Sequence, residues 1–283
     1  MARILAAIDG SAYAASVCDH AAWFATRTGG PVELLHVSNR DEGDLAHLNM
    51  AGNIGLGTRS RRSEELATND ETRAQLARDH EHVLLAVGRK RLLEAGVDHV
   101  QEKHRNGEVT EVVTELQGKA DLVVMGKRGE SSNYTLVHLG SQIESVIRAS
   151  IRPVLIVPRT YMPITRTVAA FDGGRCACKA LKYVVESAVF IGMPCLVVIV
   201  SSDARQDNRL SEQAHAIIGG HPNAVIIGLR GEVAPAIAGQ LRSGAGDLLV
   251  MGAYSHRRIH ALIIGSMTSL VIRTVKVPVL LFR

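Results

Sequence analysis

A chain of 283 residues, 46% of them hydrophobic, can bury a large core, and its length sits near that of two domains. No apolar stretch reaches the roughly 20 residues that span a bilayer, and the N-terminal "MARILAAID" runs straight into a strand-like pattern, so a soluble, unprocessed cytoplasmic chain without membrane contact is expected. A net charge of +4, dispersed Lys and Arg and only 4% aromatic residues argue against a nucleic-acid binder.

In chain order, "RILAAIDGS" (3–11) reads as a buried strand ending on a carboxylate, followed by an alanine-rich helix in which Trp23 is most simply core. A second strand, "VELLHV" (32–37), leads into a polar, Gly-rich segment, 38–70, expected as a long loop or lid. His80 and His82, two apart on a helix, point to different faces and read as solvated. His99 and His104 bracket a further strand without an evident carboxylate partner. Val109, Val112, Val113 and Leu116 form a helical stripe at i, i+3, i+4, i+7. "DLVVMG" (121–126) and "RPVLIVPR" (152–159) complete the strands of this half.

The chain then repeats itself. "RTVAAFDGG" (166–174) matches 3–11, "CLVVIV" (195–200) matches 32–37, "RGEVAPAI" (230–237) matches "NGEVTEVV" (106–113), "DLLVMG" (247–252) matches 121–126 and "VPVLLFR" (277–283) matches 152–159. The loop "MGKRGESSNYTLVHLGS" (125–141) returns as "MGAYSHRRIHALIIGS" (251–266), before a stripe of Met267, Leu270 and Val271. The boundary falls in "RTYMPITR" (159–166), giving domains 1–159 and 160–283. Asp9 and Gly107 are 98 residues apart and Asp172 and Gly231 are 59 apart, so the first domain carries 39 extra, mostly at 38–70. Continuous apolar strands separated by helices make each half an α/β, doubly wound, five-stranded parallel sheet of order 3-2-1-4-5.

In such sheets ligands settle at the carboxyl ends of the strands where the winding reverses, which brings Asp9 beside Met125 and Gly126. There Gly126 and Gly129 let backbone N–H groups approach an anion, Gly140 and Ser141 offer a helix N-terminus and a hydroxyl, and Lys127 and Arg128 add positive charge. The same residues also fit ordinary turns, and Ser141 with Glu144 fits a capping box that needs no ligand. The four cysteines are read as reduced thiols, since Cys176-x-Cys178 lacks a second ligand pair for a metal and no Ser-His-Asp or Cys-His arrangement is evident.

Asp-Gly-Ser after the first strand, Met-Gly-x-x-Gly, and Gly-Ser before the last helix and a "PVLIV" strand resemble the universal stress protein family, here as a bacterial tandem-domain form with the adenine nucleotide alpha hydrolase-like fold. The resemblance implies ATP or AMP as ligand, with magnesium accompanying the phosphates. It implies contacts from Asp9 to ribose or adenine, Val37 to adenine, Met125 and Gly126 to sugar and α-phosphate, and Arg128, Gly129, Gly140, Ser141 and Gln142 around the phosphates. Ten residues, one more than the family spacing, separate Gly129 from Gly140. The matching second set is Asp172, Val200, Met251, Gly252, Gly265 and Ser266, but Ser255 replaces the middle glycine and Gly174 replaces Ser11, so a weaker second site is expected.

The expected function is therefore a stress-response regulator that binds nucleotide mainly in its first domain, without a catalytic base; the alternative is a ligand-free interaction module with both crevices structural. A nucleotidyl transferase relative is disfavoured by the lack of a His-x-x-His or P-loop signature. The family also pairs its last strands across a two-fold axis, which here implies a homo-oligomer or an internal pseudo-dimer that covers two apolar edges, 152–158 and 277–282. The insertion is expected either to fold over the crevice with Arg59, Arg61 and Arg62 facing an anion, or to be a surface excursion or oligomer contact.

Overall fold

The computed structural model describes residues 2–38, 59–129, 141–253 and 266–283, with only the backbone described for 59–74, 77, 141, 204 and 266. The first half runs β1 (Ile4–Ile8), α1 (Ala14–Thr28), β2 (Val32–Ser38), α2 (Arg59–Glu94), β3 (Val100–Asn106), α3 (Val109–Leu116), β4 (Leu122–Gly126), α4 (Ser141–Ala149) and β5 (Val154–Val157). The second repeats it as β6 (Thr167–Ala170), α5 (Arg175–Glu186), β7 (Cys195–Val200), α6 (Ala204–Ile218), β8 (Ala224–Leu229), α7 (Val233–Arg242), β9 (Leu248–Gly252), α8 (Ser266–Thr274) and β10 (Val279–Phe282).

Each half has the predicted strand order, and the halves fuse into one ten-stranded sheet, β3-β2-β1-β4-β5-β10-β9-β6-β7-β8. The seam between β5 and β10 is antiparallel, with Val279 opposite Ile156, Leu280 opposite Leu155 and Leu281 opposite Val154. These six side chains are between 0% and 2% exposed. At roughly 1.5–3 kcal/mol for each buried aliphatic side chain, leaving this pairing unmade would be costly. The pseudo-dimer is therefore internal.

Right-handed crossovers place α1, α2, α5 and α6 on one face of the sheet and α3, α4, α7 and α8 on the other, and each face has a core that runs through both halves. Val112, Val113 and Leu116 are buried as predicted, and Trp23 is partly buried against Phe24 and Phe190. The stripe on α8 is displaced from its prediction: Val271, Ile272 and Val275 are buried while Leu270 is 40% exposed. The buried side of α8 also carries Thr268 and Ser269, so polar residues occupy positions that a hydrophobic count passes over.

Residues 59–70, expected within a loop, belong to α2, and residues 39–58 lie outside the described residues. Arg59, Arg61 and Arg62 thus stand on a helix 36 residues long. Its counterpart α6 has 15. His80 and His82 are both exposed on α2, as read from their spacing. The outer strand β3 departs from the apolar pattern with Gln101, Glu102, His104 and Arg105 exposed or half-exposed, which blunts a free edge against further strand pairing.

Candidate functional site

The first crevice forms where β1 and β4 part company. Asp9 follows β1, Val37 lies near the end of β2, and Met125 and Gly126 close β4, with Met125 in register beside Ala7. With Arg128, Gly129 and Gln142 they line a cavity of about 130 Å³. Of the predicted first-half set, Asp9, Val37, Met125, Gly126, Arg128, Gly129 and Gln142 are therefore brought together; Gly140 and the Ser141 side chain lie outside the described residues. The enclosed volume is below the roughly 300–1,000 Å³ of whole ligand pockets.

Local hydrogen bonding aims Asp9. Its Oδ1 accepts from the backbone N–H of Ser11 at 3.1 Å, and Ser11 Oγ accepts from the N–H of Tyr13 at 3.2 Å, making a compact turn that feeds α1. Oδ2 faces Gly129, where an added Cβ would stand 3.1 Å away. Ile8, Val17, Val37 and Ile143 add apolar lining, and Arg128 and Gln142 contribute side chains with donors. The N-terminus of α4 opens beside them, a place where negative charge is favoured.

Three features were not read from the sequence. Tyr13 lines the cavity and explains Gly126: an added Cβ there would lie 2.6 Å from Tyr13 Cβ and 3.1 Å from Cγ. The glycine is needed for the approach of the turn before α1, whatever else it does. Comparison of Tyr13 with its counterpart Cys176 was the available signal. Val109, expected only as core, also lines the cavity.

Lys127, expected near the anion, turns away. Its Nζ donates to the carbonyl oxygens of Val275 at 2.9 Å and Arg273 at 3.3 Å, at the C-terminal end of α8 in the other half. Burial pushes its ammonium down to about 8, with Arg128 adding to the effect. Glu144 is likewise engaged across the halves, its Oε1 accepting from Ser269 Oγ at 2.9 Å. Glu144 thus makes a contact between halves, and the Ser141 side chain of the expected capping box lies outside the described residues.

The second crevice differs in its floor. Asp172 Oδ1 accepts from the N–H of Gly174 at 2.8 Å, repeating the first turn. Helix α5, however, begins at Arg175, the counterpart of Ala12, whereas α1 begins at Ala14. The early start seats backbone on the strand end: a Cβ on Gly252 would lie 2.6 Å from Ala177 N and 2.9 Å from Cys176 C. Met251 pairs with Ala170, and Val200 ends β7, so Asp172, Val200, Met251 and Gly252 do converge. Ser255, Gly265 and the Ser266 side chain lie outside the described residues.

Elsewhere, His104 has the carboxylate partner it was not expected to have. Its Nε2 lies 3.2 Å from Glu81 Oε2 on α2 and 2.6 Å from Ser38 Oγ, which itself donates to Asn106 Oδ1 at 2.8 Å. The four cysteines are free thiols, and burial raises Cys18 to about 12. No group of three His, Cys, Asp or Glu side chains suited to a metal occurs among the described residues.

A family model described as the universal stress protein family matches residues 1–158 and 198–283. A universal stress protein of Synechocystis sp. is 32% identical over 288 residues, covering all of both chains. The crystal structure of a universal stress protein from Archaeoglobus fulgidus matches 100% of this chain and 96% of its own with a TM-score of 0.69 at 20% identity. A Pseudomonas aeruginosa protein of unknown function matches 100% of this chain and 92% of its own, with a TM-score of 0.60 at 15% identity.

Proposed function

Because the chain belongs to the universal stress protein family, we propose that it is a stress-response regulator that binds an adenine nucleotide, ATP or AMP, in its first half. The observation that carries this reading is the cavity at the winding reversal, in which Asp9, Arg128, Gly129 and Gln142 join an apolar lining. Adenine fits against Val37 and Val17, ribose hydroxyls meet Asp9, and the phosphates run toward Gly129 and the N-terminus of α4. Beside Asp9 the described lining holds no second carboxylate and no histidine for acid and base roles, so the reading is of a ligand held rather than turned over. ATP would bring magnesium on its phosphates, and the ion would depend on their oxygens with Asp9 as the neighbouring carboxylate. No described helix is long and apolar enough to cross a membrane.

Mass spectrometry of small molecules released from purified protein, with calorimetric titration of ATP and AMP, tests this. Adenine nucleotide and a stoichiometry of one per chain are the expected results. No released nucleotide and no heat would favour the ligand-free interaction module, for which the backbone seated on Gly252 in the second crevice already speaks.

A further inference from the structure

Both walls of the first cavity are gripped from outside their own half. Lys127 sits between the lining residues Gly126 and Arg128, and its ammonium closes the C-terminal end of α8 through Val275 O and Arg273 O. Glu144 follows the lining residues Gln142 and Ile143 on α4, and Ser269 of the same α8 donates to it. One helix of the second half thus holds the β4 turn by its end and α4 by its side. The carbonyls at a helix C-terminus carry partial negative charge and lack intrahelical donors, so an ammonium placed on two of them fixes both partners.

The repeat shows that this grip is one-sided. Glu144 and Ser269 occupy corresponding positions in the two halves, so their bond crosses the pseudo-two-fold axis onto its own counterpart. Lys127, by contrast, corresponds to Ala253, which is 0% exposed and has no side-chain donor. The backbone at the two positions matches, with Lys127 N–H donating to Val157 O at 2.9 Å and Ala253 N–H to Phe282 O at 2.7 Å. Only the side chain differs, and only the first-half side chain reaches over.

We propose that Lys127 and Glu144 are positioning residues that couple the first-half cavity to helix α8 of the second half, so that a ligand in the cavity orders α8 and the state of α8 sets the affinity of the cavity. The proposal rests on the nucleotide reading for its ligand but not for the latch itself. Coupling of this kind is reciprocal: whatever loosens α8 weakens the ligand by the same factor that the ligand tightens α8. Because α8 starts at Ser266, the signal arrives at the second copy of the Gly-Ser motif, in the half where α5 backbone stands against Gly252.

Hydrogen exchange on the full chain, read at 126–129 and at 270–276, decides it. Without nucleotide, Lys127→Met speeds exchange in both peptides together, by roughly fivefold as the loss of one net hydrogen bond implies, and Lys127→Arg, which keeps a cation over the carbonyls, restores most of the protection. Saturating ATP slows exchange at 270–276 in the native chain and not in Lys127→Met. Ser269→Ala, a small change outside the cavity, weakens ATP by roughly threefold to fivefold in calorimetry. The proposal is overturned if Lys127→Met leaves 270–276 unchanged, or if ATP protects α8 equally in that variant. Flat calorimetry with the native chain would remove the nucleotide reading, while the comparison without nucleotide would still decide the latch.

Discussion

The two crevices begin with the same Asp-Gly and the same Met-Gly and end differently because one helix starts two residues earlier than the other. In the first half a turn held by Asp9 and Ser11 delays α1 to Ala14, and a side chain, Tyr13, meets the strand end. In the second half Gly174 takes the N-cap position, α5 begins at Arg175, and its backbone at Cys176 and Ala177 rests on Gly252. The same glycine therefore admits a side chain in one copy and helix backbone in the other. The distinction lies in what stands above the glycine, which the motif itself does not contain.

Substitution at the two glycines separates these roles most sharply. Gly252→Val drives a branched side chain into backbone that cannot rotate away, and about 3 kcal/mol or more of stability is expected to be lost in urea denaturation, on the scale of severe overpacking. Gly129→Val, which among the described residues meets Asp9 Oδ2, is expected to leave the fold near native and to remove nucleotide binding in calorimetry. Equal loss of stability in the two variants would erase the contrast between the crevices.

The aspartates give the next largest difference. Asp9→Ala is expected to weaken ATP by roughly thirtyfold or more, the scale of a hydrogen bond to a charged group. Asp172→Ala leaves ATP affinity unchanged and costs about 1 kcal/mol through the lost bond to Gly174 N–H ahead of α5. A second-half effect on ATP as large as the first would mean that α5 does not close that site.

Two pH effects are smaller and bear on how the halves are joined. His20 on α1 is 0% exposed, packs edge-on against Tyr161 of the connecting segment at 4.9 Å and places Nδ1 2.7 Å from Ser16 O, while Nε2 has no partner among the described residues. Burial lowers its pKa below the ordinary 6.5, with the Ser16 contact and Asp19 opposing. The unfolded chain then takes up a proton that the folded chain refuses, so stability falls as pH drops below 6.5. His20→Phe is expected to flatten that acid limb in thermal melts. Lys127 acts in the alkaline range. The folded ammonium releases its proton near 8 and the unfolded one near 10.5, so the native chain gains stability relative to Lys127→Met as pH rises through that window. Parallel urea midpoints for the two chains between pH 8 and 10 would contradict it.

Periodicity and repetition made the strand order, the duplication and most of the cavity legible, because continuous apolar runs and a glycine at a strand end are local signals. Lys127 was misjudged because its direction depends on the pseudo-two-fold axis, and the helix end it caps lies 146 residues away. The early part of α2 was hidden for a different reason. "RSRRSEELATNDETRAQL" has no apolar stripe, so a hydrophobic period could not show it, although Arg, Glu, Leu, Ala and Gln are strong helix formers. His104 lacked an evident partner because Glu81 meets it from the neighbouring α2 layer.

The antiparallel seam also sets an order of events during synthesis. Strand β5 is complete at Val157, but its partner β10 begins only at Val279. At roughly 5–20 residues per second, the intervening stretch takes on the order of ten seconds to translate. Throughout that interval the first half, folded as a unit, presents Val154, Leu155 and Ile156 as a bare apolar edge ready to add a strand from any neighbouring nascent chain. Adjacent ribosomes on one message would carry identical copies of that edge, which makes pairing between first halves the misassembly most open to this protein, and gives a chaperone a defined segment to shield until β10 is made.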